Sequence, residues 1–473
     1  MCLSPLTIPN SSSYKNVNFS FHAYKCSCYD CLECQQERKN DWQVRLGYEI
    51  KDFYSRGGVG VFLTFTYRPK CLPTIRVFNA GQYVEVPAFN HDDVLAFLNR
   101  LKVWANKIYG KGSYKYFFVC EYGKTTSRPH YHCLFLLEPY VDYKAFVRKC
   151  RSAWTFGHTL PFYNPKDGLF YGKKNRVVDP RIKDQHGMSK YITKYIVKDL
   201  DFYGHPLLKE ALLSNEFKSS VRKYLPKHWQ SNGLGTHLIL NKFNGASDGT
   251  IRRMLTLGVA HPYDLKRTVP LPKAVINKLL YKNVRSSRIG RNGKPLYDRY
   301  LTPFSRKYLK VIFENNVTKL EEKMSQLFQY LHFDGSHGSV SNPHTFRTAA
   351  LLKLVWRYAP RSAAFRALSL HGGDLTALQD TDCAFEVWFK NKDIKYLKKH
   401  QSSAIAVEQH KQFIAFSFLP RDLLPVHDIE LLNIYEHELI QVNKDAYLSN
   451  AKFMQTLAED RRKYHSNYPT NIC

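Results

Sequence analysis

The sequence predicts an α+β fold in which helices flank an antiparallel sheet. Strands are indicated at residues 57–67, 114–121, 130–137 and 159–163, which are rich in β-branched and aromatic residues. Apolar residues with helical spacing predict helices at 90–110 and 143–154. The resulting order, strand, helix, strand, strand, helix, strand, is the split ferredoxin-like pattern.

Composition indicates a folded protein with a polyanionic partner. The 473 residues are 44% hydrophobic and 14% aromatic, enough to bury sizeable cores. Seventy Lys and Arg against forty acids give a net charge of +30, which favours nucleic acid as the partner over an anionic membrane surface. A merely basic protein is the alternative interpretation.

A strand that begins after a proline carries two histidines. The sequence at 128–137 is Arg-Pro-His-Tyr-His-Cys-Leu-Phe-Leu-Leu. Residues two apart in a strand point to the same face, so His130 and His132 project together, whereas Tyr131 points the other way. Glu121 ends the preceding strand, and an antiparallel hairpin would bring it beside the pair. Two imidazoles on one sheet face are typical of a metal site, although this spacing also arises by chance.

A doubled Tyr-x-x-Lys motif follows within residues 190–199. In a helix, Tyr191 and Tyr195 would lie one turn apart on one face, with Lys194 and Lys198 as a matching pair beside them. Such a helix can pack across the histidine face of the sheet. The alternative is an amphipathic helix with buried tyrosines, but it does not explain why the motif accompanies a His-x-His hairpin.

Together these motifs resemble the HUH endonucleases with two tyrosines, which initiate rolling-circle replication. The likeness is greatest to the initiators of the microviruses, which are small single-stranded DNA phages. The triplet 130–132 is similar to the family's two histidines around a bulky residue, although Tyr131 has a polar tip. Glu121 and the loop to Arg128 match the same motif, and residues 62–67 are similar to the first motif. The resemblance covers about residues 24–285.

The resemblance implies both the reaction and the roles of the site residues. The implied reaction is site-specific nicking of the origin in double-stranded replicative-form DNA through a 5′-phosphotyrosine, followed by rejoining of the displaced strand. Tyr191 and Tyr195 would be the nucleophiles, Lys194 and Lys198 their neighbouring cations, and His130, His132 and Glu121 the ligands of Mg²⁺ or Mn²⁺. This nitrogen and oxygen ligand set does not exclude zinc.

Two further features are expected to contact DNA. Lys173, Lys174 and Arg176 precede the tyrosine motif, and Arg128 precedes the histidines, so all four are candidate phosphate contacts, with a solvated loop as the alternative for the first three. Residues 282–310 hold nine Lys or Arg and one acid among aromatic residues. This mixture suits single-stranded DNA, and an exposed linker is an equal alternative.

A cysteine cluster opens the chain. Cys26, Cys28, Cys31 and Cys34 fall within nine residues, a spacing that suits either a structural Zn²⁺ site or a compact turn. Microvirus initiators carry a similar leader running into a helix, here expected at 38–50. The eleven cysteines are expected to be mostly reduced thiols, because the sequence has no secretory signal.

We expect four parts: an N-terminal arm with the cysteine cluster and a helix (1–50), a nicking domain of the HUH type (51–205), a basic DNA-contacting extension (206–300) and a mainly helical C-terminal domain (301–473). In the last part a capping box at Thr318 and Glu321 predicts a helix to about Leu331. Further helical patterns occur near 349–358, 404–418 and 443–457. No phosphate-binding P-loop is present, which disfavours a fused helicase.

The expected partners are single-stranded and supercoiled origin DNA, with host helicase and DNA polymerase, in the cytoplasm of a bacterial host. The sequence has no stretch of eighteen apolar residues, so we expect no transmembrane segment and no membrane partner. A plasmid relaxase or transposase of the HUH type is the alternative within the enzymes. A non-catalytic single-stranded-DNA-binding protein is the alternative outside them.

Overall fold

The chain divides into two compact units. The computed structural model describes residues 6–9, 23–26, 32–123, 127–196, 202–203, 205–290, 293–332 and 381–390. One unit is Gln35–Val275, and the other combines Met1–Cys34 with Ile276–Cys473. The predicted four-part division stays a prediction, and the boundary after Val275 falls within its third part.

The first unit is built on a five-stranded antiparallel sheet, which confirms the predicted fold class. Its strands are β3 (Val59–Tyr67), β6 (Tyr114–Tyr122), β7 (Pro129–Leu137), β8 (Gly157–Leu160) and β11 (His228–Gln230), in the spatial order β11-β6-β7-β3-β8. The long strands β6 and β7 pair in register from Tyr114 opposite Leu137 to Tyr122 opposite Pro129. This pairing places the predicted hairpin at the centre of the sheet.

Helices α2 (His91–Tyr109) and α3 (Tyr143–Ala153) cover one face of the sheet. Asn90 caps α2 by accepting a hydrogen bond from the Asp92 backbone N–H, and Asp142 caps α3 in the same way. The core between these helices and the sheet contains Tyr131, Cys133, Phe135, Leu137, Phe97, Leu101, Phe146 and Val147. The alternation in β7 therefore sends Tyr131 into this core, as its position between two histidines predicts.

Helices α1 (Leu32–Ser55) and α4 (Gln185–Thr193) pack on the opposite face. The core there contains Trp42, Leu46, Ile50, Phe53, Phe117, Val119, Leu134, Leu136, Ile192, Tyr195 and Ile196. Helix α1 is longer at both ends than the predicted 38–50, since no Gly or Pro interrupts the sequence between residues 32 and 46 and Gly57 lies beyond its end.

Several elements of this unit differ from the expectations. The hairpin of β4 (Thr74–Asn79) and β5 (Gln82–Pro87) was not predicted, and neither was β11. The strand expected at 159–163 is divided into β8 and β9 (Phe162–Tyr163) by Pro161, which has no N–H to donate. Strand β9 pairs with β10 (Phe170–Tyr171) instead.

Short elements complete the first unit after the tyrosine motif. They are α5 (Pro206–Ala211), α6 (Asn215–Ser220), α7 (Thr236–Leu240), α8 (Asp248–Leu257), the hairpin of β12 (Val259–His261) and β13 (Asp264–Val269), and α9 (Lys273–Leu280), which ends in the second unit. The part expected as a basic extension is thus folded over most of its length.

The second unit pairs β1 (Leu6–Pro9) with β2 (Ala23–Cys26), and β14 (Tyr281–Ile289) with β15 (Pro295–Leu301). The basic segment 282–310 is therefore a hairpin and the start of a helix, and the linker interpretation is wrong. Helices α10 (Pro303–His332) and α11 (Thr381–Lys390) follow, in agreement with the predicted helical C-terminal region. None of the described helices is both long and apolar enough to cross a membrane.

The predicted capping box at Thr318 is wrong. Thr318 lies inside α10, where its hydroxyl donates to the Glu314 carbonyl one turn earlier. A Thr can make this bond within a helix, so the Thr-x-x-Glu spacing alone does not mark a helix start. The helical patterns near 349–358, 404–418 and 443–457 lie outside the described residues.

Candidate active site

The predicted histidine face is formed by β7 and completed by β6. Glu121 lies directly opposite His130 in the register of the two strands, on the same face as His130 and His132. Glu121 Oε2 lies 2.5 Å from His132 Nε2, and both side chains are largely shielded, with 19% and 8% of their surface exposed. The structure thus brings the three predicted ligands to one face.

Hydrogen bonds orient both imidazoles through Nδ1. His130 Nδ1 lies 2.7 Å from the Arg128 carbonyl oxygen, which can only accept, so Nδ1 donates and Nε2 keeps its lone pair. His132 Nδ1 lies 3.0 Å from the Thr64 hydroxyl. Burial lowers the pKa of His130, against a smaller raising effect of the Arg128 carbonyl bond and Glu121. A neutral imidazole with Nδ1 engaged is the form that binds a metal through Nε2.

The donor set has the nitrogen and oxygen ligands of a divalent-ion site. Within the described ranges, no three His, Cys, Asp or Glu side chains already stand as a group that could hold a metal ion. An octahedral ion with ligands at about 2.1 Å needs adjacent donors about 3 Å apart, slightly more than the present distance between Glu121 and His132.

The tyrosine motif lies on a helix that ends between the two tyrosines. Asp184 caps α4 by accepting a hydrogen bond from the Gly187 N–H at 2.8 Å. The helix ends at Thr193, whose hydroxyl donates to the Ser189 carbonyl, and a 3-10 turn, Lys194–Ile196, continues it. The helical interpretation of the motif is therefore correct up to Thr193 and wrong for Lys194–Ile196, and residues 197–199 lie outside the described residues. The tighter turn still leaves the tyrosines on the same side.

The tyrosine pair packs directly on the histidine face. The Tyr195 hydroxyl donates to the Tyr191 hydroxyl at 2.6 Å. The Tyr195 ring stacks on His132, with centroids 4.1 Å apart and planes 23° apart. Tyr195 is 3% exposed, whereas Tyr191 is 39% exposed. The two hydroxyls therefore share one location but differ in their access to solvent.

Phe62 and Lys194 hold the tyrosines in place. The Phe62 ring stacks on His132 and meets Tyr191 edge to face, at centroid distances of 5.5 Å and 5.3 Å. Lys194 Nζ lies 3.7 Å from the Tyr191 ring centroid and 5.1 Å from that of Tyr195. Burial, with the hydroxyl bond to Tyr191 and the charge of Glu121, raises the pKa of Tyr195.

Of the four predicted phosphate contacts, three are exposed. Lys173, Lys174 and Arg176 lie on a tight turn after β10, in which Lys174 has a φ of 57°. Lys173 is close enough to His130 to lower the pKa of that imidazole. Arg128 is half-buried, and its Nη2 donates to the Tyr67 carbonyl at 2.8 Å, so part of its guanidinium holds β3.

Other predicted site residues are only partly described. Lys198 of the second Tyr-x-x-Lys lies outside the described residues, as do Cys28 and Cys31. Cys26 ends β2, and Cys34 is buried near the start of α1. The predicted zinc site at this cluster stays a prediction.

Phe62 and Thr64 were not predicted to be site residues. Both lie in the segment 62–67 that resembled the family's first motif, and they are two residues apart on β3. That spacing puts them on one face, which is the signal that could have placed them beside His132.

One family model matches the segment that carries this site. Residues 60–200 match the family described as replication-associated protein ORF2. The match covers β3, the histidine hairpin and the tyrosine helix, and it is consistent with a rolling-circle replication initiator. Searches of curated proteins and of solved structures found no significant match. The segment that builds the site is therefore similar to replication-associated proteins of the ORF2 family.

Proposed function

We propose that this protein is a replication initiator that nicks the double-stranded replicative form of a phage genome through a tyrosine–DNA intermediate and later rejoins the displaced strand. The observation that carries the proposal is the pair of tyrosine hydroxyls, 2.6 Å apart, packed against His132 of the His-Glu set. The match of residues 60–200 to replication-associated proteins supports the same function.

The chemistry is a transesterification that conserves a phosphodiester bond. A tyrosine oxygen attacks the scissile phosphorus and forms a 5′-phosphotyrosine, while the bond to the 3′ oxygen breaks. The phenol loses its proton, and the 3′ oxygen gains one as a free hydroxyl that can prime synthesis. A later attack by a 3′-hydroxyl on the phosphotyrosine rejoins the strand and needs no ATP.

A divalent ion held by His130, His132 and Glu121 would supply Lewis-acid polarisation of the scissile phosphate. Mg²⁺ or Mn²⁺ suits this role. The chain's own contribution is orientation: the Arg128 carbonyl fixes His130 with its Nε2 lone pair available, and the Thr64 hydroxyl fixes His132 with its Nε2 directed at Glu121.

Tyr191 is the nucleophile for the first cut in this proposal. It is the exposed member of the pair and receives the hydrogen bond from Tyr195, which stabilises a developing negative charge on its oxygen. Lys194 adds a positive charge over the same ring. Tyr195 becomes available when Tyr191 is joined to DNA and moves, so that the second tyrosine can cut the regenerated origin. Lys198 would supply a positive charge to Tyr195, as Lys194 does to Tyr191.

Two broader proposals accompany this function. Lys173, Lys174, Arg176 and Arg128 would hold phosphates on either side of the cut. The cysteine cluster would bind Zn²⁺ as a structural site. Separately, host helicase and polymerase would be the partners in extension of the primed strand.

The test is metal-dependent nicking of supercoiled DNA from the replicon that encodes this chain. Wild-type protein should convert it to an open circle with Mg²⁺ or Mn²⁺ and fail with EDTA. The double variant His130→Ala, His132→Ala should not nick but should keep most of its DNA affinity, because phosphate contacts dominate binding.

His237→Ala is the matched control for this pair, since His237 is exposed on α7, outside the strands that carry the candidate ligands, and it should nick normally. Nicking by the double variant at the wild-type rate would overturn the proposed ligands. Binding without nicking by the wild-type protein would instead favour a non-catalytic single-stranded-DNA-binding protein.

A further inference from the structure

The small hairpin of β9 and β10 presents two aromatic rings on its outer side. Phe162 pairs with Tyr171 across the strands, and their rings stack with centroids 5.8 Å apart and planes 29° apart. The other pair, Tyr163 and Phe170, faces the core, where Phe170 is buried against Tyr143. Phe162 and Tyr171 stay half-exposed. An aromatic surface is thus held at the protein surface by the buried Phe170 and the partly buried Tyr163 beneath it.

Arginines from α3 lie over this hairpin. The Arg151 guanidinium lies 5.0 Å from the Phe162 ring centroid, and that of Arg148 lies 5.2 Å from Tyr163. Both arginines are exposed, and neither forms an ion pair with any side chain in the described ranges. Cations next to stacked rings are suited to nucleobases and phosphates.

The acidic side chains of this segment are already engaged. Residues 161–183 contain six Lys or Arg and two acids, Asp167 and Asp179. Asp167 accepts hydrogen bonds from the Tyr171 hydroxyl at 2.6 Å and from Asn164, and Asp179 pairs with Arg181. Both carboxylates therefore fix the local structure. Asp179 is paired with a cation, whereas Asp167 keeps its charge beside Tyr171, so positive charges outnumber negative ones in this segment.

The hairpin connects to the candidate active site through the basic turn. Gly172 N–H donates to the Arg176 carbonyl at 2.8 Å, which closes the turn and displays Lys173, Lys174 and Arg176 together. Beyond it, the Phe62 N–H donates to the Pro180 carbonyl at 3.1 Å, which joins this segment to β3. The same strand carries Phe62 and Thr64 of the site.

We propose that Phe162, Tyr171 and Arg151 form a stacking subsite, the β9–β10 platform, for bases of the single-stranded DNA that leads to the scissile phosphate. The proposal rests on the proposed function for its orientation relative to the cut. The basic turn would hold the phosphates between the platform and His130. Stacking tolerates any base, so the platform would add affinity without sequence preference.

The experiment uses the full chain without metal and a twelve-nucleotide single strand carrying 5-iodouracil at successive positions. Irradiation should crosslink one or two positions to the peptide that contains Phe162 or Tyr171. The double variant Phe162→Leu, Tyr171→Leu should lose this crosslink and bind the strand about tenfold more weakly by fluorescence anisotropy. Arg151→Gln, which leaves the hairpin's packing intact, should weaken binding in the same direction by a few-fold.

The control is Phe78→Leu, Tyr83→Leu on the β4–β5 hairpin. These rings are also exposed and lie 5.3 Å apart, but the neighbouring Arg76 is paired with Glu85. This variant should bind as the wild type does. Equal affinity of the platform variants and the wild type, or crosslinks only outside residues 161–183, would overturn the platform. A wild-type protein that crosslinks there but never nicks would overturn the proposed function and leave the platform standing.

Discussion

The two tyrosines of the candidate site lie in different surroundings. Tyr191 and Tyr195 share a hydrogen bond, yet only Tyr191 is exposed. The difference follows from the 3-10 turn, which draws Tyr195 against His132. The two tyrosines therefore differ in their exposure to solvent, and experiments can test which of them attacks DNA first.

We expect Tyr195→Phe to form a covalent adduct with single-stranded DNA but to fail in a cut-and-rejoin cycle. The ring and its stacking on His132 remain, so the free energy of unfolding should fall by only about 1 kcal/mol for the lost hydrogen bond. A gel assay with one labelled strand separates the adduct from the joined product. Full cycling by this variant would show that Tyr195 is structural.

A glycine near α7 supports the site from a distance. Gly235 has a φ of 67°, and a Cβ there would lie 2.1 Å from the Arg45 carbonyl oxygen on α1. Its N–H donates to the buried carboxylate of Glu49 at 2.5 Å. This contact fixes the loop before α7 to the helix that covers the histidine face.

We expect Gly235→Ala to lower the free energy of unfolding by about 2–4 kcal/mol, because the left-handed backbone and the clash both oppose it. Gly245→Ala is the matched control. It has a φ of 71° but nothing within 4 Å of the added Cβ, so about 1 kcal/mol is expected. Urea denaturation of both variants measures the difference, and equal losses would contradict the role of the Arg45 contact.

At the scale of elements, the long periodic segments were predictable and the short ones were not. Helix α2 and strands β6 and β7 lie within one residue of their predicted bounds, because each repeats its pattern over nine residues or more. Strand β11 has three residues, too few for a period. The β4–β5 hairpin did have a signal, since Ala80 and Gly81 form its two-residue turn with φ of 49° and 85°.

Strand β11 brings a histidine to the edge of the sheet. The His228 ring packs against Trp42 and Phe117, at centroid distances of 5.4 Å and 5.8 Å. Burial, followed by the positive charges of Arg38, Arg45 and Lys227, lowers the pKa of His228 to about 3. The folded state therefore resists protonation of this side chain.

We expect His228 to destabilise the fold as the pH falls. Between pH 6.5, its pKa in an unfolded chain, and about 3, the unfolded state binds the extra proton, so stability is lost as pH drops through this window. At pH 5 the loss from this residue would be at most about 2 kcal/mol. His228→Gln should show a correspondingly shallower fall of unfolding free energy between pH 7 and 5, whereas the exposed His158→Gln should follow the wild type. An unchanged slope in His228→Gln would contradict the assignment.

The features of the site that depend only on the spacing of residues along the chain could be predicted from the sequence. Strand alternation placed His130, His132 and Glu121 on one face, and helical spacing brought Tyr191 and Tyr195 together. The sequence could not show the order of access of the tyrosines, because that depends on where α4 tightens into a 3-10 turn. It also could not show that Arg128 bonds the Tyr67 carbonyl, a contact 61 residues apart in the chain.

For the whole molecule, the net charge of +30 predicts strongly salt-dependent binding. If Arg128, Lys173, Lys174 and Arg176 make about four phosphate contacts, affinity for a short single strand should fall roughly 50-fold between 50 and 200 mM salt. Fluorescence anisotropy across this range gives the slope. Binding that hardly changes would show that the charge serves another purpose.

The variant Lys173→Gln, Lys174→Gln should reduce the slope of log affinity against log salt by about 1.4. Lys102→Gln, Lys107→Gln provides the matched control, because these exposed lysines lie on α2, which covers the opposite face of the sheet. The control should keep the wild-type slope. Equal slopes for the two double variants would exclude the basic turn from DNA contact.

In the proposed reaction, a tyrosine of this pair becomes covalently joined to the 5′ end of the cut strand. The most direct measurement is mass spectrometry of peptides after reaction with origin DNA and Mg²⁺ or Mn²⁺. We expect a nucleotide-phosphate adduct on Tyr191 in the wild type, and on Tyr195 when the Tyr191→Phe variant is given the same DNA for longer. A nicked product whose adduct maps to neither tyrosine, or nicking with no covalent adduct at all, would contradict it.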